Sequence, residues 1–124
     1  MINALSIGVS ALRLSETRVA VAADNLVNAT NRPPLDAADG YTGYTPHRVA
    51  PVSMGMGGVR ATVLPVDPAS IPVPDGAGGT EAMPNVSLAG EIVELNDASR
   101  AYESAATVIR TADEMQDTLL NIVG

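Results

Sequence analysis

Cysteine is missing from all 124 residues, and so are lysine, phenylalanine and tryptophan. Without thiols the chain builds neither a disulfide framework nor a thiolate metal centre. Tyr41, Tyr44 and Tyr102 are its only aromatic side chains, so few large groups are available to fill a core. Much of the 46% hydrophobic content is alanine and valine, which bury little area each. Such a chain makes one small domain at most, and burial between subunits would strengthen it.

The lack of lysine contributes to a net charge of −7. Arg13 and Arg18 balance Glu16 and Asp24 in residues 1–31, whereas Glu91, Glu94, Asp97, Glu103, Asp113, Glu114 and Asp117 outweigh Arg100 and Arg110 in residues 85–124. With no basic patch and no aromatic platform, nucleic-acid binding is disfavoured. The late carboxylates are expected on the outer faces of a helix, with Asp97 pairing with Arg100 three residues on. The N-terminus has no basic segment leading into a long apolar run, and no stretch reaches membrane-spanning length.

Signals for catalysis are weak. His47 is the single histidine, with no cysteine and no serine in a nucleophile elbow beside it, so a solvated strand position is expected. Gly55, Gly57 and Gly58 are followed by no Lys-Ser/Thr and read as turn residues rather than a phosphate loop. Glu91 with Glu94, and Asp113 with Asp117, share helical faces but lack histidine ligands or an apolar pocket, which favours a solvated surface. No catalytic residue, metal ligand or cofactor is expected.

Two amphipathic segments dominate what is present. Ile2, Leu5, Val9, Leu12, Val19, Ala23 and Leu26 recur at steps of three and four, with Glu16 the polar member of the row, predicting a helix from about Ile2 to Asn28. At ~1.5 Å per residue it spans roughly 40 Å, so its stripe needs a long partner. Leu88, Ile92, Leu95, Ala98, Tyr102, Ala105, Ile109, Ala112 and Leu119 make a comparable stripe, interrupted at Gln116. Ser87 is the expected N-cap, with Asn85 a second candidate. Periodicity alone leaves a helical hairpin inside a monomer and an assembly surface equally open.

Between the helices the signal changes. Pro33 and Pro34 stop the first helix. His47–Ser53 and residues 59–64 are expected to pair as a β-hairpin through residues 54–58, with Pro51 confining its strand to an edge. Residues 65–84, with Pro65, Pro68, Pro72, Pro74 and Pro84, read as an extended strap without regular structure. The fold class is therefore mainly α: long N- and C-terminal helices (1–31 and 85–124) forming one core as an antiparallel coiled coil, with a β-hairpin and a Pro/Gly-rich insertion at 32–84.

The end of the first helix, Arg18-Val-Ala-Val-Ala-Ala-Asp-Asn-Leu-Val-Asn28-Ala-Thr30, resembles the "ANNLANANT" signature of the flagellar rod, hook and filament-junction family. Residues 84–95, Ser99-Arg-Ala-Tyr102-Glu, residues 108–115 and Asp117-Thr-Leu-Leu120 resemble that family's C-terminal motif. The usual exit from the first helix is replaced by a longer loop from Thr30 that still reaches Gly43-Tyr44. The chain's shortness is similar to that of proximal rod members rather than hook or distal-rod proteins.

The resemblance implies a structural, non-enzymatic subunit of the basal-body rod that transmits motor torque in the periplasm. It also implies export through the flagellar type III apparatus without a cleaved signal peptide. Implied partners are copies of itself, other rod proteins, the membrane-ring base and the export gate. Leu5, Val9, Leu12, Val19, Leu26, Leu88, Ile92, Leu95, Tyr102, Ile109 and Leu119 are the expected assembly and packing residues. Asn25 and Asn28 join them, either ending the helix or bonding a neighbouring subunit. A cytoplasmic helical-hairpin adapter or export chaperone is the alternative, and an acidic enzyme using Glu91 or Asp113 a further rival.

Overall fold

A computed structural model describes residues 2–33 and 40–123, so part of the loop leaving the first helix lies outside the described residues. The elements run α1 (Ile2–Asn28), β1 (His47–Ser53), β2 (Val59–Pro65), β3 (Ser70–Pro74), β4 (Thr80–Pro84) and α2 (Leu88–Val123). The helices pack antiparallel: Gly8 lies against Ala105 and Ile109, Arg18 reaches Glu94, and Asn25 reaches Glu91. Ser87 caps α2 as expected, its Oγ accepting the Gly90 N–H at 3.2 Å.

On α2 the seam is closed by Ala98, Ala105 and Ala112 of the expected row, whereas on α1 it differs from the expected stripe. Besides Asn25, the buried positions on this side are Gly8, Ser15 and Ala22 of α1 and Ala29 just beyond it, spaced by seven, and Ala98, Ala105 and Ala112 lie on α2 with the same spacing. Three of the α1 positions fall one residue before Val9, Glu16 and Ala23 of the expected row, all of which are exposed. Small side chains let the backbones approach closely, and larger groups such as Leu5, Leu12, Leu26, Leu95 and Ile109 flank the line of contact, half-buried. A Cβ added to Gly8 would sit 2.6 Å from Ile109 Cγ1. Ser15 is tolerated in the seam because its hydroxyl donates to Ala11 O at 3.1 Å.

The expected hairpin forms, pairing His47 with Pro65 and Ser53 with Val59. Its turn uses Gly57 and Gly58 at φ +92° and +86°, a region costly for residues with a Cβ. The strap, however, contains a second hairpin, pairing Ser70 with Pro84 and Pro74 with Thr80. Register explains why its prolines fit. The Ala82 N–H points away from β3 to Pro33 O at 3.2 Å, so Pro72–Ala82 is a pair that exchanges no ladder hydrogen bonds. Pro74 and Pro84 sit at pairs of the same parity, so none of the three removes a needed donor. The same holds in β1–β2, where the N–H groups of His47 and Val59 point outward to Asn25 and Ser10. Pro51 and Pro65 share their parity.

Candidate functional site

A buried polar site is centred on Asn25, which is 1% exposed. Its Nδ2 donates to His47 O at 2.7 Å and to Glu91 Oε1 at 2.9 Å. Its Oδ1 accepts the His47 N–H at 3.0 Å and lies 2.8 Å from the Tyr44 hydroxyl. One amide thus grips both backbone groups of the first β1 residue while holding α2, and its capacity is spent within the chain. Asn28 is also locally occupied, donating to Asp24 O at 2.9 Å. At the opposite end of the hairpin, Ser10 Oγ accepts the Val59 N–H at 3.1 Å and donates to Ile7 O at 2.7 Å. The hairpin is thereby fastened to α1 at two points.

Around Asn25 the carboxylates of Glu91 and Glu94 are bonded within the chain, Glu91 to the Asn25 amide and Glu94 to Arg18. Arg18 makes a two-pronged ion pair with Glu94, Nη2 lying 2.9 Å from Oε2 and Nε contacting Oε1. This bond raises the guanidinium pKa and lowers that of the carboxylate. Burial pushes the Glu91 carboxyl up, opposed by the Asn25 hydrogen bond, and burial together with the Asp24 carboxylate raises the Tyr44 hydroxyl. Glu91 and Glu94 therefore face α1, against the expectation of outer-face positions. Asp97 and Arg100 form no ion pair among the described residues; the second pair present is Arg110 with Glu114, at 4.0 Å and largely exposed. Both Glu91 and Glu94 are committed to neighbours, Asp113 is exposed, and no cluster of three metal-ligating side chains occurs among the described residues.

The apolar residues outside the seam face outward. Val9, Val19, Leu88, Ile92, Tyr102 and Leu119 are exposed, as are Val93, Val108, Met115, Leu120 and Ile122. Open grooves of about 790 Å³ and about 720 Å³ flank α1, one against the β1–β2 tip and one against Leu95, Ser99 and Tyr102 of α2. Sequence reading missed Gly8, Ser10, Ser15, Arg18 and Tyr44 as organising residues. The seven-residue spacing of small side chains was the available signal for the seam; none was available for the Asn25 contacts, which join segments 22 and 66 residues apart.

Two antiparallel helices closed by a small-residue seam, with apolar side chains exposed on their outer faces and a β-ribbon fastened to α1, define the class of fold. Residues 77–122 match the family described as flagellar basal body rod FlgEFG protein, C-terminal. The chain is 30% identical over 126 residues to the flagellar basal-body rod protein FlgC of Escherichia coli, covering 93% of this chain and 92% of that protein. The FlgC of Salmonella typhimurium is 33% identical over 132 residues, with 93% and 92% covered. That of Borreliella burgdorferi is 37% identical over 76 residues, 61% of this chain and 49% of the relative. The chain belongs to the FlgC family of flagellar basal-body rod proteins.

Proposed function

We propose that the chain is a structural subunit of the bacterial flagellar rod, in which α1 and α2 form an antiparallel coiled-coil core and pack against the same helices of neighbouring rod proteins to carry motor torque. Residues 1–31 and 85–124 supply that core and residues 32–84 the bracing insertion. The carrying observation is the division of labour across each helix: alanine, glycine and serine close the seam inside the chain, while Val19, Ile92, Tyr102 and Leu119 remain for contacts outside it. Such unpartnered apolar surface on both helices marks an interaction face.

Export as an unfolded chain through the flagellar type III apparatus, without a cleaved signal, belongs to this reading, as do a periplasmic position and contact with the membrane-ring base. A seam of small residues and the absence of cysteine suit a chain that unfolds easily and has no cross-link to break. Ile92→Asp and Leu119→Asp test the assembly role, because both side chains are exposed in the single chain and the substitutions leave its seam intact. Normal levels of exported protein with lost motility are expected; full motility in both strains would overturn the reading.

A further inference from the structure

We propose that the groove between α1 and the β1–β2 tip receives the C-terminal part of α2 from a second copy of the chain. This rests on the rod reading and names one of its contacts. The groove, about 790 Å³, is lined by Leu5, Val9, Leu14, Met54 and Val59 together with Arg13 and Arg60, and Gln116 of the chain's own α2 also borders it. Neither arginine has a carboxylate partner among the described residues.

The complementary chemistry lies on α2. Met115, Leu119 and Ile122 form an apolar stripe at helical spacing, and they are 55%, 46% and 74% exposed. Asp113, Glu114 and Asp117 lie beside that stripe, and no cation follows Arg110. Two unpartnered guanidinium groups around an apolar groove thus match an apolar helix edge carrying carboxylates, which fixes orientation as well as attraction. Met54 and Met115 are unbranched and flexible, so the fit is adjustable.

The contact joins two different surfaces. A self-complementary patch would stop at a dimer, whereas a groove on one copy and a helix end on the next leaves one of each free after every addition. Growth then continues as an open helical polymer unless the rotation closes a ring. That is the geometry a rod subunit requires.

Because the chain has no cysteine, introduced thiols report single positions. Purified full-length Leu14→Cys and Leu119→Cys chains, mixed at high concentration under oxidation, are expected to form the mixed disulfide several-fold faster than Leu14→Cys with Val93→Cys. Adding Arg13→Glu and Arg60→Glu to the first chain should bring the rate down to that control, and Asp113→Arg with Asp117→Arg in the second should restore it. Equal rates for the two pairs, a rate insensitive to the charge changes, or a dominant Leu119→Cys homodimer would overturn the proposal. If the cross-link fails while a strain lacking the chain is non-motile, the rod role stands and the groove assignment falls; motility in that strain would overturn the rod role itself.

Discussion

At the scale of single residues, Asn25 carries more structure than any apolar side chain. Replacing it with alanine leaves the His47 N–H and C=O without these partners in a part-buried site, each costing up to about 1–3 kcal/mol. Asn25→Ala is therefore expected to lower the urea midpoint strongly and to free the β1–β2 ribbon, read as lost amide-exchange protection at His47. The two neighbouring carboxylates shape the pH dependence in opposite senses. Glu94, held down by Arg18, contributes stability that is present above its ordinary value of 4.5 and is lost as pH falls through its lowered folded value. Glu91, pushed up by burial, contributes in its protonated form, which is fully present below 4.5 and lost as pH rises through the raised folded value. Glu91→Gln should thus remove a decline in stability above pH 4.5, and Glu94→Gln a decline below it, in urea titrations across that range. A wild-type pH profile shared by both variants would contradict the assignment.

At the scale of elements, the seam and the ribbons respond to backbone distance and register. Gly8→Ala gains roughly 1 kcal/mol of helix propensity but drives a methyl against Ile109, and overpacking costs about 1–3 kcal/mol. Net destabilisation is expected, relieved when Ile109→Ala is combined with it; a double-mutant cycle by chemical denaturation measures the coupling. In the second hairpin, Pro72→Ala should be nearly neutral, whereas Ile71→Pro removes a ladder donor opposite Met83 and should unpair β3 from β4. Amide exchange on β4 distinguishes the two. These same features explain what was readable. The extents of α1 and of the first hairpin follow from periodicity and turn residues, but the second hairpin was hidden by prolines whose harmlessness depends on parity. The row on α1 was displaced by one residue because it was anchored on Val9, which hydrophobicity ranks above Gly8, while close packing ranks them the other way.

At the scale of the whole molecule, alanines make up the chain's buried apolar core while many large apolar side chains are exposed, which leaves surface for association. Its melting temperature is accordingly expected to rise with protein concentration, as association stabilises the folded form. Calorimetry over a hundredfold concentration range would show it, and a constant value would count against self-association.

The sequence by itself determined the two long helices, the first hairpin, the absence of thiolate chemistry, and the family, because these depend on local periodicity, turn chemistry, residue types and motifs. Tertiary structure decided which α1 side chains close the helix pair, that Glu91 and Glu94 turn inward, and that Asn25 binds three segments together. Those outcomes rest on interhelical distance and on hydrogen bonds between residues far apart along the chain, neither of which a one-dimensional pattern encodes.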